Sequence, residues 1–274
     1  MPTADDYTTD ELVSVCISRQ IVDGEVVAQG IATPLVVAGY LLAKCTHAPN
    51  LMIASAIGQG IARDWAPLGV ARIEELWLDK AMMQMGFVRV AADVLPTMNI
   101  KEFFRPGQMD AAGNFNNVAL GKNLQQPRLR LPGVGGIPDV TVYSDEVYLY
   151  VPRHSRVTFV AELDWRSGLG HSPSRRYGAG PRYLVTDLGQ FDFAGGCLRL
   201  TSLHPEVALK RVQAKTGFPL EVSQDIQETN PPTREEVRLL REEIDPLGVR
   251  RLEMLGGSAR RTALREILSR EGVL

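Results

Sequence analysis

Cysteine is scarce. Cys16, Cys45 and Cys197 are far apart, odd in number and without metal-ligand spacing. That excludes a disulfide framework and a cysteine-based metal site, and it points to a reduced, cytoplasmic chain. No apolar stretch reaches the ~18 residues that a membrane span needs. The most apolar segment, IATPLVVAGYLLAKC, is shorter and is interrupted by Pro34 and Gly39. The opening MPTADDYTTDELVSV carries acidic residues and lacks the basic-then-apolar pattern of a secretory signal, so no membrane role is expected. Neither sign of charge dominates: 30 Lys and Arg face 32 Asp and Glu, for a net charge of −2. Such a balance supplies no general field for nucleic acid. There is no internal repeat.

What remains is a chain of 274 residues with 45% hydrophobic content, enough to bury a full core. Thr8 or Thr9 caps a first helix with Asp10 and Glu11 in its first turn, where the helix dipole favours negative charge. Leu12, Val13, Cys16, Ile17 and Ile21 follow at helical spacing, and Gly24 is expected to stop the helix. Residues 25–29 (EVVAQ) read as a strand, Gly30 as a turn, Pro34 as the first turn of a second helix, and 51–54 as the next strand. This rhythm predicts an α/β chain: an open, mainly parallel sheet with helices on its faces.

Further along, Met82, Met83 and Met85 read as core filler. Strands are expected at 147–151, 157–163, 182–186, 191–193 and 197–202. A Gly- and Pro-rich loop of about 18 residues, DWRSGLGHSPSRRYGAGP (164–181), separates the second from the third, and a loop of that length is often functional. Helices are expected at 206–216 and 232–244. The domain is drawn as 1–250, with 251–274 as a helical extension whose basic face reads as solvated or subunit-packing.

LPGVGGIPDV places Gly133, Gly135 and Gly136 where backbone N–H groups can approach a ligand. It is no dinucleotide fingerprint, because the last glycine of G-x-G-x-x-G is missing and no strand–turn–helix is expected at the right spacing.

Read together, AQGIATP, MIASA, MDAAGNFN, PGVGG, VTDLGQFDF, SLHPEV, TGF and LLREEIDP occur in that order. The set resembles the β subunit of class I coenzyme A transferases, most closely the glutaconate type, over residues 7 to 246. The resemblance implies a CoA-transferase-like (NagB/RpiA-like) fold and an active site shared with an α subunit, in an α2β2 or larger assembly. It implies an acyl-CoA thioester as substrate and no permanently bound cofactor or metal. The family's transfer chemistry runs through a glutamate at the tip of the second strand, which attacks the thioester carbonyl. The matching position here is Ala54, followed by the retained Ser55.

The missing carboxylate turns the reading towards relatives that hydrolyse or cleave a carbon–carbon bond in a CoA ester, with acid–base groups on the α subunit. The alternatives are a transferase using another nucleophile and a non-catalytic subunit that completes a pocket. The candidate catalytic residues are His171 and Ser55, each weighed against a structural role. The candidates for binding substrate or CoA are Gly30, Pro34, Asn114, Asn116, Gly133, Gly135, Gly136, Arg175 and Arg176. His47, His154 and His204 read as structural.

Overall fold

The computed structural model describes residues 2–30, 33–73 and 75–274. It divides into two units. One runs to Glu102 and takes up Asn230–Leu274 again at the end; the other is Phe103–Thr229.

In the first unit, α1 (Thr9–Ser18) opens with a capping box between Thr8 and Glu11. It ends at Ser18, short of the expected stop. Gly24 instead serves a later turn, at φ 83°. Strand β1 (Val26–Ala28) leads to α2 (Pro34–Thr46), which Pro34 opens as anticipated. Helix α2 is buried from Leu35 to Ala43 and lies against α1. A Cβ on Gly39 would stand 2.7 Å from Ile17 Cγ2 and 2.8 Å from the Ser14 carbonyl oxygen, so the helix contact requires glycine there. Strand β2 (Met52–Ser55) pairs parallel with β1. Strands β3 (Gly60–Ala62) and β4 (Ala81–Gln84) add antiparallel. Met82 and Met83 lie on β4 and are 55% and 51% exposed, which overturns the core-filler reading. A short helix α3 (Phe87–Arg89) follows. Strand β5 (Lys101–Phe104) brings Lys101 and Glu102 alongside β1, again parallel.

In the second unit, β6 (Gln108–Met109) and β7 (Phe115–Asn116) form a small antiparallel pair, as do β8 (Ala119–Leu120) and β9 (Leu129–Arg130). The PGVGG loop runs straight into a helix, α4 (Ile137–Tyr143), contrary to expectation. Strand β10 (Glu146–Val151) pairs parallel with Phe103–Phe104 and with β11 (Gly180–Thr186). Strands β12 (Gly189–Asp192) and β13 (Arg199–Leu203) continue antiparallel. Residues 157–163 form no strand. The Thr158 and Phe159 N–H groups both donate to the Ser155 carbonyl, a turn that buries Phe159 and leaves Val157 exposed. Helix α5 (Leu209–Lys215) starts later than expected, because Glu206 sits at φ 64°, outside the helical region. Strand β14 (Glu221–Glu228) was not anticipated; its polar sequence EVSQDIQE pairs parallel with β13. Parallel pairing next to β5 with antiparallel additions in each unit meets the α/β expectation.

The chain then returns to the first unit. Helix α6 (Arg234–Arg238) has its own capping box, Thr233 with Glu236. Helix α7 (Gly257–Arg270) buries Ile267 with Val249 and Leu252, against Leu68 and Val70. The Glu271 carboxylate accepts the Val70 and Ala71 N–H groups at 2.8 and 3.0 Å. The extension therefore belongs with the first unit, and α7 is a packed helix. Among the described residues no helix is long and apolar enough to cross a membrane.

Candidate active site

In the first unit the candidates gather at the C-terminal ends of β1 and β2. The Gln29 N–H donates to the Ala54 carbonyl at 2.9 Å. The Ser55 hydroxyl donates to the Gln29 carbonyl at 3.3 Å and accepts the Gly58 N–H at 2.9 Å. Its proton and one lone pair are thus committed to backbone, and Ser55 holds the strand tip to the following turn. Ala54 is fully buried and offers a methyl group. Gly30 follows β1 and Pro34 opens α2, while Ile31 and Ala32 lie outside the described residues. The N-terminus of α2 is already satisfied from within the chain, because the Leu35 N–H donates to a Glu253 carboxylate oxygen at 2.9 Å.

One carboxylate at these tips escaped the sequence reading. Ala28 is in register with Ala54 on one side and with Glu102 on the other. Paired positions on parallel strands project to the same face of a sheet, so Glu102 shares the face of Ala54. Glu102 is partly buried, and its Oε1 lies 3.4 Å from where a Cβ on Gly30 would be. Burial pushes its carboxyl up to about 7. The only sequence signal was a single Glu between Lys101 and two phenylalanines in IKEFF, a segment for which no element was expected. Lys101 is already engaged, paired with Glu25 at 2.6 Å.

In the second unit the structure brings Asn114, His171 and Arg175 together around the 164–181 loop. Asn114 Nδ2 donates to Asp110 at 3.0 Å, while its Oδ1 accepts the Gly170 N–H at 2.9 Å. His171 Nε2 sits 2.8 Å from the Pro181 carbonyl oxygen. A carbonyl only accepts, so Nε2 carries the proton and Nδ1 is the ring's remaining acceptor in the neutral form. The Arg175 guanidinium donates to the backbone carbonyls of Gly170, Tyr177, Thr141 and Leu169. It staples the loop to α4, which leaves little of its fork for a phosphate. Arg176 is exposed.

Asn116 is fully buried, donating to Gln108 Oε1 and to the Ala119 carbonyl and accepting from the Val118 N–H. It builds the turn and has no side-chain donor to spare. The Gly133 N–H donates to the Asn117 carbonyl at 3.1 Å. Gly133 and Gly135 have φ of 107° and 49°, and an added Cβ on either would meet nothing within 4 Å. The loop is an open cradle that L side chains would strain.

The other histidines are structural. His47 Nε2 lies 3.1 Å from the Ile21 carbonyl oxygen. His154 stacks on Phe159 with ring centroids 3.7 Å apart, between the Thr186 and Thr216 hydroxyls. His204 bridges the Thr229 hydroxyl and the Thr186 carbonyl. Burial lowers the ionisations of His154 and His204 to about 3 and about 4 respectively.

The family model for coenzyme A transferase matches residues 11–215. The chain is 33% identical over 241 residues to the cholesterol ring-cleaving hydrolase IpdB subunit of Rhodococcus jostii, covering 84% of this chain and 89% of that one. It is 28% identical over 260 residues to the B-type chain of 3-oxoadipate CoA-transferase from Pseudomonas knackmussii, covering 86% and 92%. Among solved structures it superposes on the decarboxylase AibA/AibB with a TM-score of 0.77 at 30% identity, covering 89% and 98%. The protein therefore belongs to the coenzyme A transferase family, as a chain of its class I β type.

Proposed function

We propose that this chain is the B-type half of a two-chain enzyme that acts on an acyl-CoA thioester by hydrolysis or lyase chemistry at a carbon–carbon bond, rather than by acyl transfer. The observation that carries this reading is Ala54, buried at the tip of β2 where the family's transfer chemistry needs a carboxylate. A methyl group cannot form the anhydride and glutamyl thioester through which the acyl group passes. The relatives are consistent with such a change of reaction, since one is named a hydrolase subunit and a structural neighbour a decarboxylase.

In the second unit the Gly135 and Gly136 N–H groups of the open loop are the backbone donors offered to a polarised carbonyl oxygen, a task that hydrolysis and transfer share. An A-type partner chain completes the site. Support for the partner comes from β4 and its surroundings, where Leu78, Met82, Met83, Phe87 and Val88 are exposed together in one sequence region. The assembly works in the cytoplasm, in keeping with three free cysteines.

The test is to purify the chain with its partner and assay CoA esters with and without a free acid acceptor, with mass spectrometry of this chain after incubation. Hydrolysis or cleavage without an acceptor, and no CoA adduct, is expected. Acceptor-dependent exchange with an adduct on this chain would overturn the reading.

A further inference from the structure

We propose that Glu102 is the acid–base group that this chain contributes to the reaction, standing in for the carboxylate that position 54 lacks. The inference rests on the hydrolytic reading above. Its basis is geometric. Glu102, Ala28 and Ala54 lie side by side on β5, β1 and β2, in register and on one face of the sheet. Ala28 interposes only a methyl group. The Glu102 carboxylate lies beside Gly30, just past the end of β1, and β1 adjoins the strand whose tip the resemblance matches to the family's glutamate.

A second observation lies at the same tip. The side-chain oxygen of Gln29, the residue after Ala28, is buried and accepts no hydrogen bond among the described residues. A buried acceptor without a donor is open to a hydrogen bond from a bound substrate or water.

The surroundings suit a proton carrier. Burial is the sole influence on the Glu102 ionisation, with no charged group contributing. On its own strand, Lys101 is committed to Glu25 and to the Gln20 carbonyl. On β1, Val27 and Ala28 are apolar, and near the Gly30 turn the neighbouring side chain is the neutral Thr33. A carboxyl that titrates near neutral pH can both take and return a proton.

The step balances with water as co-reactant. The substrate class taken for the step is a 3-oxoacyl-CoA, after the relatives named for 3-oxoadipate and for ring cleavage. The Glu102 carboxylate takes a proton from water as the water oxygen bonds to the 3-oxo carbon. The resulting alkoxide reforms its carbonyl as the bond between C2 and C3 breaks. That electron pair passes to C2 as the thioester enolate. The Glu102 carboxylic acid then returns its proton to C2. One water is consumed, a carboxylic acid and a new C–H bond are formed, and Glu102 ends as it began.

The experiment uses the complex with its A-type partner and 2-oxocyclohexanecarbonyl-CoA, a cyclic 3-oxoacyl thioester, as probe. Glu102→Gln should lower kcat by about 10²–10⁴-fold. It should also abolish a kcat/KM ionisation near pH 7. Glu102→Asp should keep that ionisation with partial turnover. Carbon-13 NMR of glutamate-labelled, substrate-free complex should show a carboxyl titrating near 7 that vanishes in Glu102→Gln. Wild-type turnover in an assembled Glu102→Gln complex would overturn the proposal. So would a Glu102 carboxyl titrating in the ordinary range near 4, the mark of a residue that merely pairs with the partner. The two readings fail differently. A CoA adduct on this chain defeats hydrolysis whatever Glu102 does, whereas unchanged turnover in Glu102→Gln defeats only the role of Glu102.

Discussion

Glu102 and Ala54 flank Ala28 on the same sheet face, one strand to either side, so the chain carries a carboxylate two strand spacings, about 9–10 Å, from the position that the sequence resemblance matches to the family's glutamate. A nucleophile must reach the thioester carbonyl directly. A proton carrier needs only hydrogen-bond reach of one water, and a displaced carboxylate is compatible with the second task.

Restoring the family's side chain should therefore not improve the enzyme. Ala54 is fully buried, and Ala54→Glu would bring a charge into a position that now holds a methyl group out of contact with solvent. Native turnover should fall, with at most a trace of acyl exchange detectable as a CoA adduct by mass spectrometry. A rise in native turnover would identify the site as a degraded transferase.

The glycine loop should matter more than either side chain first singled out. Gly135→Pro removes an N–H and cannot adopt the φ of 49° found there. Losing one oxyanion donor costs about 2.7–4 kcal/mol in the transition state, so turnover should fall at least roughly a hundredfold in a complex that still assembles. His171→Ala, by contrast, removes a ring whose N–H is spent on the Pro181 carbonyl, and it should cost about 1 kcal/mol of stability. Wild-type turnover in Gly135→Pro would move the oxyanion site to the partner. A thousandfold loss in His171→Ala would make that ring a proton carrier.

The exposed strip near β4 should be the handle for assembly. Met83 and Val88 are 51% and 73% exposed, and Met83→Glu with Val88→Asp would desolvate two charges if a partner covers them. Size-exclusion chromatography of the co-expressed chains should show free B-type chain, with the monomer's thermal unfolding unchanged. Undiminished complex would place the partner elsewhere.

Much of this was legible from residues alone, and the failures share a cause. The helix cap at Thr8 and the proline start of α2 are local chemistry, and the structure keeps them. Tertiary facts were invisible. Nothing in IKEFF tells which neighbour Glu102 faces, because that depends on β5 joining β1 across some seventy residues of chain. The methionines of β4 read as core because their residue type usually is, yet here they are exposed. Strand β14 was missed because an edge strand with polar faces lacks the apolar alternation by which strands are recognised. Residues 157–163 had the composition of a strand, but the Ser155 turn claims their first N–H groups.

The two buried histidines predict acid lability. Unfolded, each ionises near 6.5; folded, His154 and His204 are held to about 3 and about 4 by burial. Below pH 6.5 the unfolded state therefore binds protons that the native state refuses, and stability is lost as pH falls towards those folded values. Two such groups give a slope of roughly 2–3 kcal/mol per pH unit between pH 6 and 4. Urea unfolding at stepped pH should show it, and His154→Gln should remove about half. An unchanged slope would place the acid sensitivity in the carboxylates.

Arg250 should be the most costly single residue of the first unit to remove. It is buried, and its guanidinium reaches Asp10 at 2.8 Å, Glu11 at 2.9 Å and Asp245 at 2.9 Å. Three carboxylates on α1 and on the turn after α6 are thereby gathered by one cation, with Arg241 adding a second contact to Glu11 at 2.7 Å. Arg250→Met would fill the space and leave Asp10 and Asp245 without their cation. Removing one partner from a buried pair costs about 3–5 kcal/mol, because the remaining charge stays desolvated. Burial already raises the Asp245 carboxyl against the lowering pull of Arg250, so loss of the guanidinium should raise it further and favour its protonated form. The expected result is a complex that unfolds at lower urea in Arg250→Met and recovers part of the loss as pH is lowered from 7 to 5, opposite in sign to the histidine effect. Adding Asp10→Asn and Asp245→Asn should return most of the stability at pH 7. If Arg250→Met alone were neutral, the cluster's ion pairing would no more than offset its desolvation cost, and the joining of the C-terminal segment to α1 would have to come from apolar contacts such as Val249 and Leu252 instead.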